Sequence, residues 1–132
     1  MAHVAVAQLL QDYVVALTED EFALYPLADD VVFRGPRLGP IVGAAPVRKV
    51  LSDVASAFSR LRVEQSGQLI DGDNAVLFLT VDLPDGRGFA IADHLRFRDD
   101  RLVLLRPYFD AGLLESLGMA PSIAELGPAA RL

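Results

Sequence analysis

Asp93 is the residue of this sequence best placed to do chemistry. It sits in the run Phe89-Ala90-Ile91-Ala92-Asp93-His94-Leu95-Arg96-Phe97. Strand alternation puts Phe89, Ile91, Asp93, Leu95 and Phe97 on one face and Ala90, Ala92, His94 and Arg96 on the other. A carboxylate in an apolar row must be hydrogen-bonded, neutralised or set against a cavity, because burying an unpaired charge is expensive. Two readings follow. Asp93 is either a protonated acid with a raised pKa that donates to a ligand oxygen, or a structural group tied to a backbone amide or an arginine. Tyr13 is the second candidate, near the centre of an apolar helical stripe. A buried phenol seeks a partner. Its hydroxyl either meets the Asp93 carboxyl, giving two donors aimed at one point, or sits at the rim of a ring that merely fills the core.

The other chemistry-bearing residue types point away from a reactive centre. His94 falls opposite Asp93, on the small and polar face, where a surface or subunit interface suits it better than general-base work. His3 lies too near the terminus to build on. Two separated histidines and no cysteine form no metal signature, so neither a metal nor a cofactor is expected. Gly-x-Ser-x-Gly, phosphate-loop and dinucleotide glycine patterns are absent. The chain carries 18 acidic and 12 basic residues, a net charge of −6, which opposes nucleic-acid binding because phosphates demand a concentrated basic surface. No apolar run approaches the roughly 18 residues that cross a bilayer, and the first residues lack a secretion-signal pattern. A reducing cytoplasm suits a chain without cysteine.

The elements that must position Asp93 and Tyr13 follow from periodicity. Val6, Leu9, Leu10, Tyr13 and Leu17 recur at helical spacing and predict an amphipathic helix over residues 4–17. Thr18, Glu19 and Asp20 start a second, short helix through Phe22, Leu24 and Tyr25, which Pro26 limits. A short strand over residues 31–33 leads to a loop with four Gly or Pro among residues 34–40. Pro46 opens a third helix with Val47, Val50, Leu51, Val54, Ala57 and Phe58 on its apolar face. From residue 61 to 109 the pattern is four strands, with turns at residues 71–73, 84–86 and 99–100. Turns this short join antiparallel neighbours. The plan is α+β: three helices, then an antiparallel meander. At 132 residues and 52% apolar composition one packed domain is expected. It should span residues 1–118, with a short helix over 113–117 and a loosely attached tail over 119–132.

Taken in order, these pieces resemble the nuclear transport factor 2-like superfamily, and within it the SnoaL-like and ketosteroid isomerase-like domains. The matching parts are the opening helix with Tyr13, Leu27-Ala28-Asp29-Asp30-Val31-Val32-Phe33, and Ile41-Val42-Gly43 leading into the third helix. Asp93-His94-Leu95-Arg96-Phe97 and Leu105-Arg106-Pro107-Tyr108-Phe109-Asp110 followed by Leu113-Leu114 complete the series. The resemblance implies a cone-shaped, curved antiparallel sheet wrapped around three N-terminal helices, a pocket at its open end, and dimers. Ketosteroid isomerases place a donor Tyr on the first helix and a donor Asp on a late strand, and Tyr13 and Asp93 match both. Their proton-shuttling Asp would fall within Phe33-Arg34-Gly35-Pro36, which has no carboxylate. Limonene epoxide hydrolase-like members use an Arg-x-Asp pair and a later Asp. The similar positions here are Thr80-Val81-Asp82 and Pro107, so Asp82 alone is kept. SnoaL-like cyclases need an acid/base in the pocket, a role open to Asp93.

The expected protein therefore holds a small apolar molecule, with Asp93 as acid and Tyr13 as second donor. Phe33, Leu105 and Phe109 would be walls, and Asp82 a further ligand-contacting position. Acid/base or oxyanion-type catalysis on a carbonyl compound is one reading. A non-catalytic binder, or a dimeric association module built on the Ala90, Ala92 and His94 face, is the other.

Overall fold

The computed structural model describes residues 5–36 and 40–110. Helix α1 (Val6–Glu19) buries Leu9, Leu10, Tyr13, Ala16 and Leu17, one stripe at helical spacing. Asp20 ends it in the left-handed conformation (φ 55°), its N–H bonded to Ala16 O. The expected second helix is only a 3-10 turn, Phe22–Leu24, because Pro26 follows too soon for an α-helical ladder to form. Helix α2 (Ala44–Phe58) starts two residues before Pro46 and buries Val47, Val50, Leu51, Ala55 and Phe58. Two α-helices and a turn thus stand where three helices were expected.

Six strands form one sheet: β1 (Leu27–Phe33), β2 (Ile41–Val42), β3 (Arg62–Asp71), β4 (Asn74–Asp82), β5 (Gly88–Arg98) and β6 (Arg101–Tyr108), in the order β2-β1-β6-β5-β4-β3. The four strands from β3 to β6 are the antiparallel meander expected from the sequence. The sheet as a whole is mixed, since β1 pairs parallel with β6. Their long connection, through α2 and the meander, leaves β1 free to lie parallel where a hairpin could not. Register shifts at Leu27/Val32 in β1, at Gln65/Gly67 in β3 and at Leu102/Leu104 in β6, opposite Arg96/Phe97, bend an unclosed sheet.

Turn chemistry fits the pairings. Gly72 takes φ 60° at the first position of the two-residue β3–β4 loop, and Asp99 and Asp100 take φ 52° and 60° between β5 and β6. Two consecutive positive φ values mark the hairpin turn whose twist matches the strands, and Asp tolerates them. The inner face of the meander, with Leu77, Leu79, Val81, Phe89, Ile91, Leu95, Phe97, Leu102 and Leu105, packs with the helical stripes into a single core cluster. The predicted helix over 113–117 and the tail over 119–132 lie outside the described residues, as does His3.

Candidate functional site

Alternation along β5 places its residues as the sequence predicts. Phe89, Ile91, Asp93, Leu95 and Phe97 are all buried, and Ala90, Ala92, His94 and Arg96 are on the outside. Asp93 is 4% exposed, the sole buried polar or charged residue among those described. Its cross-strand neighbours on the inner face are Leu77 and Pro107. Pro107 has no N–H, so its pair with Asp93 must be of the non-hydrogen-bonded kind, in which side chains lie closer. Proline is tolerated there because β1 ends at Phe33, opposite Leu105, and leaves that edge of β6 unpaired beyond it.

One partner meets the carboxylate. Tyr13, 2% exposed on α1, donates its hydroxyl proton to Asp93 Oδ2 at 3.2 Å across 80 residues of sequence. Among the described residues the tie is to Tyr13, not to a backbone amide or an arginine. Asp93 Oδ1 has no hydrogen-bond partner among the described residues, and no fully buried side-chain oxygen there is left without one. The two groups stand in series, phenol to carboxyl, rather than side by side as expected from the sequence.

Burial sets the electrostatics. Desolvation pushes the Asp93 carboxyl up to about 7, and the Tyr13 hydrogen bond opposes that rise. The Tyr13 phenol is raised well above its ordinary value, first by burial and then by the adjacent Asp93 charge. The Tyr13 ring is fixed by edge contacts with Phe22 (5.5 Å between centroids) and Tyr25 (5.9 Å), which also meet each other at 5.8 Å. Tyr25 is anchored in turn, its hydroxyl donating to Leu9 O at 2.7 Å.

The remaining predicted positions divide. Phe33 and Leu105 are buried, paired across β1 and β6 two residues from Pro107 along the strand, and Phe109 packs half-buried against the same core. Asp82 is on the outer face at the end of β4, half-exposed and 3.8 Å from Arg62. It is not brought to the Asp93 side. His94 is on the outer face, its Nε2 2.9 Å from Asn74 Oδ1. Among the described residues no group of three or more His, Cys, Asp or Glu is placed to hold a metal ion. No helix among them is long and apolar enough to cross a membrane. Sequence reasoning missed Arg48, whose guanidinium reaches the backbone behind Tyr13.

A curved sheet over two helices is the fold of a known family. The SnoaL-like domain model matches residues 10–105, a span that includes both Tyr13 and Asp93, and the chain belongs to that family. The structure is similar to a steroid delta-isomerase from Pseudomonas aeruginosa, with 26% identity, 90% of this chain and 91% of that chain covered, and a TM-score of 0.72. It also resembles a nuclear transport factor 2-like protein of unknown function from Cytophaga hutchinsonii (17% identity, 86% and 97% covered, TM-score 0.63). A third likeness is to TerC co-crystallised with polyporic acid (18% identity, 84% and 95% covered, TM-score 0.67). The latter two likenesses concern the fold alone. No curated protein matches the chain.

Proposed function

We propose that this protein is a cytoplasmic binder of a small apolar carbonyl compound, held at a pocket on the inner face of the sheet with Asp93 at its polar end. The observation that carries the reading is the Asp93 carboxyl itself: buried in an apolar row, bonded through one oxygen to Tyr13, its other oxygen without a hydrogen-bond partner among the described residues. In its neutral form Asp93 donates from Oδ1 to the ligand oxygen, while Tyr13 donates to Oδ2 and strengthens the acid. Developing negative charge on that ligand oxygen would be stabilised by the same relay, which is oxyanion-type catalysis. A carboxyl that titrates near 7 can also give and take a proton at neutral pH, as a general acid/base must. Residues 33–36 supply no second carboxylate to shuttle a proton between carbons, so ligand binding, with enol or oxyanion stabilisation, is favoured over steroid isomerisation. Phe33, Leu105 and Phe109 are the proposed apolar walls.

The test uses an apolar cyclic ketone, 2-decalone, against its hydrocarbon counterpart, decalin, measured by competition for the same site. The ketone should bind more tightly. Asp93→Leu should weaken ketone binding by about 1–3 kcal/mol, the usual penalty of an unpaired polar group, and leave decalin unaffected. Asp93→Asn keeps a donor and should retain most of the ketone affinity. Equal affinity for both compounds in the wild type would overturn the reading.

The outer face of the sheet supports a second element of the proposal, a homodimer. Phe78 is 37% exposed there, Tyr108 51% and Leu69 64%.

A further inference from the structure

Arg48 makes contacts that the site itself does not explain. It is on α2, half-buried, and one guanidinium nitrogen, Nη1, donates to the backbone carbonyls of Phe22 and, at 2.9 Å, Tyr25. Among the described residues no carboxylate pairs with it. Two charge-assisted bonds thus hold main-chain oxygens of a turn 23 and 26 residues away in sequence.

The two residues held by their carbonyls are the two whose rings hold Tyr13. Phe22 and Tyr25 meet the Tyr13 ring edge-on from two sides. The 3-10 turn between them is held by its buried rings and by few backbone bonds of its own. Its own bond from Tyr25 N to Phe22 O is 3.2 Å, at the upper end of the ordinary range, and Leu24 at its tip is 94% exposed. Pro26 denies the segment a continuing helical ladder. Tyr25 is tied to α1 through its hydroxyl, one turn before Tyr13. The polar tie from α2 to this turn therefore bears on where the two rings sit, and so on where the Tyr13 hydroxyl points.

We infer that Arg48 is a positioning residue for the ligand site: by clamping the Phe22 and Tyr25 carbonyls it locks the aromatic triangle that aims Tyr13 at Asp93 and keeps water from the pair. This rests on the reading of Asp93 and Tyr13 as the ligand-facing groups. Its readouts are ligand-free, so a failure to bind 2-decalone leaves them intact and the two ideas fail separately.

Arg48→Met keeps the aliphatic stem and removes both bonds, whereas Arg48→Lys keeps a cation that can donate to both carbonyls. The chain has no Trp and three Tyr, so near-ultraviolet circular dichroism reports on the tyrosine environment. Carboxyl carbon-13 shifts, assigned with Asp93→Asn, report the Asp93 titration midpoint. In Arg48→Met the far-ultraviolet spectrum should persist and the tyrosine band should weaken. The Asp93 midpoint should fall by about one pH unit as water relieves the desolvation that raises it. Arg48→Lys should restore most of both signals. A folded Arg48→Met with an unchanged Asp93 midpoint overturns the inference, as does equal loss in the Lys variant. If Arg48→Met does not fold, Arg48→Gln, whose stem is too short to reach both carbonyls, is measured instead, and an unmoved midpoint there overturns it equally.

Discussion

At the scale of single residues, Asp93 links the site to stability. Its carboxyl is pushed up to about 7 in the folded protein by desolvation, from an ordinary value of 3.8. The folded state then binds a proton that the unfolded chain has released wherever the pH lies between those values. Its favourable contribution is fully present below the ordinary value and is lost as pH rises through the folded one. The facing groups do not reverse this: Tyr13 from α1 lowers the value, and the cross-strand neighbours Leu77 and Pro107 carry no charge. Asp93→Asn removes the titration, so it should be more stable than wild type at pH 8 by a few kcal/mol and should lose that advantage at pH 4. Urea unfolding of both proteins at the two pH values gives the difference, and a constant difference would contradict the raised value. Both members of the pair were legible in the sequence, because a polar side chain at a core position of a strong period is visible without a fold. Alternation also places Asp82 outside, since Leu77, Leu79 and Val81 face inward. The motif likeness that nominated Asp82 overrode that period. Arg48 was not legible, because its partners are backbone carbonyls, which leave no side-chain pattern.

At the scale of elements, legibility followed regularity. The strands β4 and β5 announce themselves by alternation, and the whole run from β3 to β6 by turns of matching chemistry. The start of β1 does not, because its burial runs Leu27 and Ala28 in, then Asp29 and Asp30 out. That break in the period of two coincides with the register shift between Leu27 and Val32, so bulge and missed strand have one cause. The two-residue β2 is too short to carry any period. It exists because Gly43 turns the chain: its N–H bonds Val31 O at 2.8 Å, and its carbonyl accepts from Val47 N in the first turn of α2. Gly43 does this at φ 109° and ψ 149°, a region open essentially to glycine alone. A Cβ there would meet only Pro46, at an ordinary 3.6 Å, so substitution strains the backbone without a clash. Gly43→Ala should therefore cost about 1–3 kcal/mol in urea unfolding. Gly72→Asn, in open space at φ 60°, should be close to neutral. Comparable losses at both positions would show that positive φ alone sets the cost, whichever region it falls in.

At the scale of the whole molecule, the sheet has two faces of opposite character. The inner one carries the apolar core and Asp93. On the outer one, hydrogen-bond register aligns Gly67, Phe78, Ala92 and Tyr108 in one row and Leu69, Val76, His94 and Arg106 in the next. Small residues flank Phe78 on both sides, and its ring lies 3.7 Å from where a Gly67 Cβ would stand. Ala90 follows beyond Ala92 on the same face. Such a face lets a second sheet approach to about 10 Å, the spacing at which sheets stack. The exposed rings and Leu69 would find apolar partners there, and a two-fold axis would use the same patch on both subunits. Arg106, stacked 5.3 Å over the Tyr108 ring, gives the patch a charged border. The expected assembly is a homodimer at about tens of micromolar protein, a concentration suited to an interface of modest size. Phe78→Lys buries a charge at its centre and should yield a monomer in sedimentation velocity while Asp93 keeps its titration midpoint, since the two faces are separate. A wild type that sediments as a monomer at that concentration would remove the outer face from the functional account and leave the inner one standing alone.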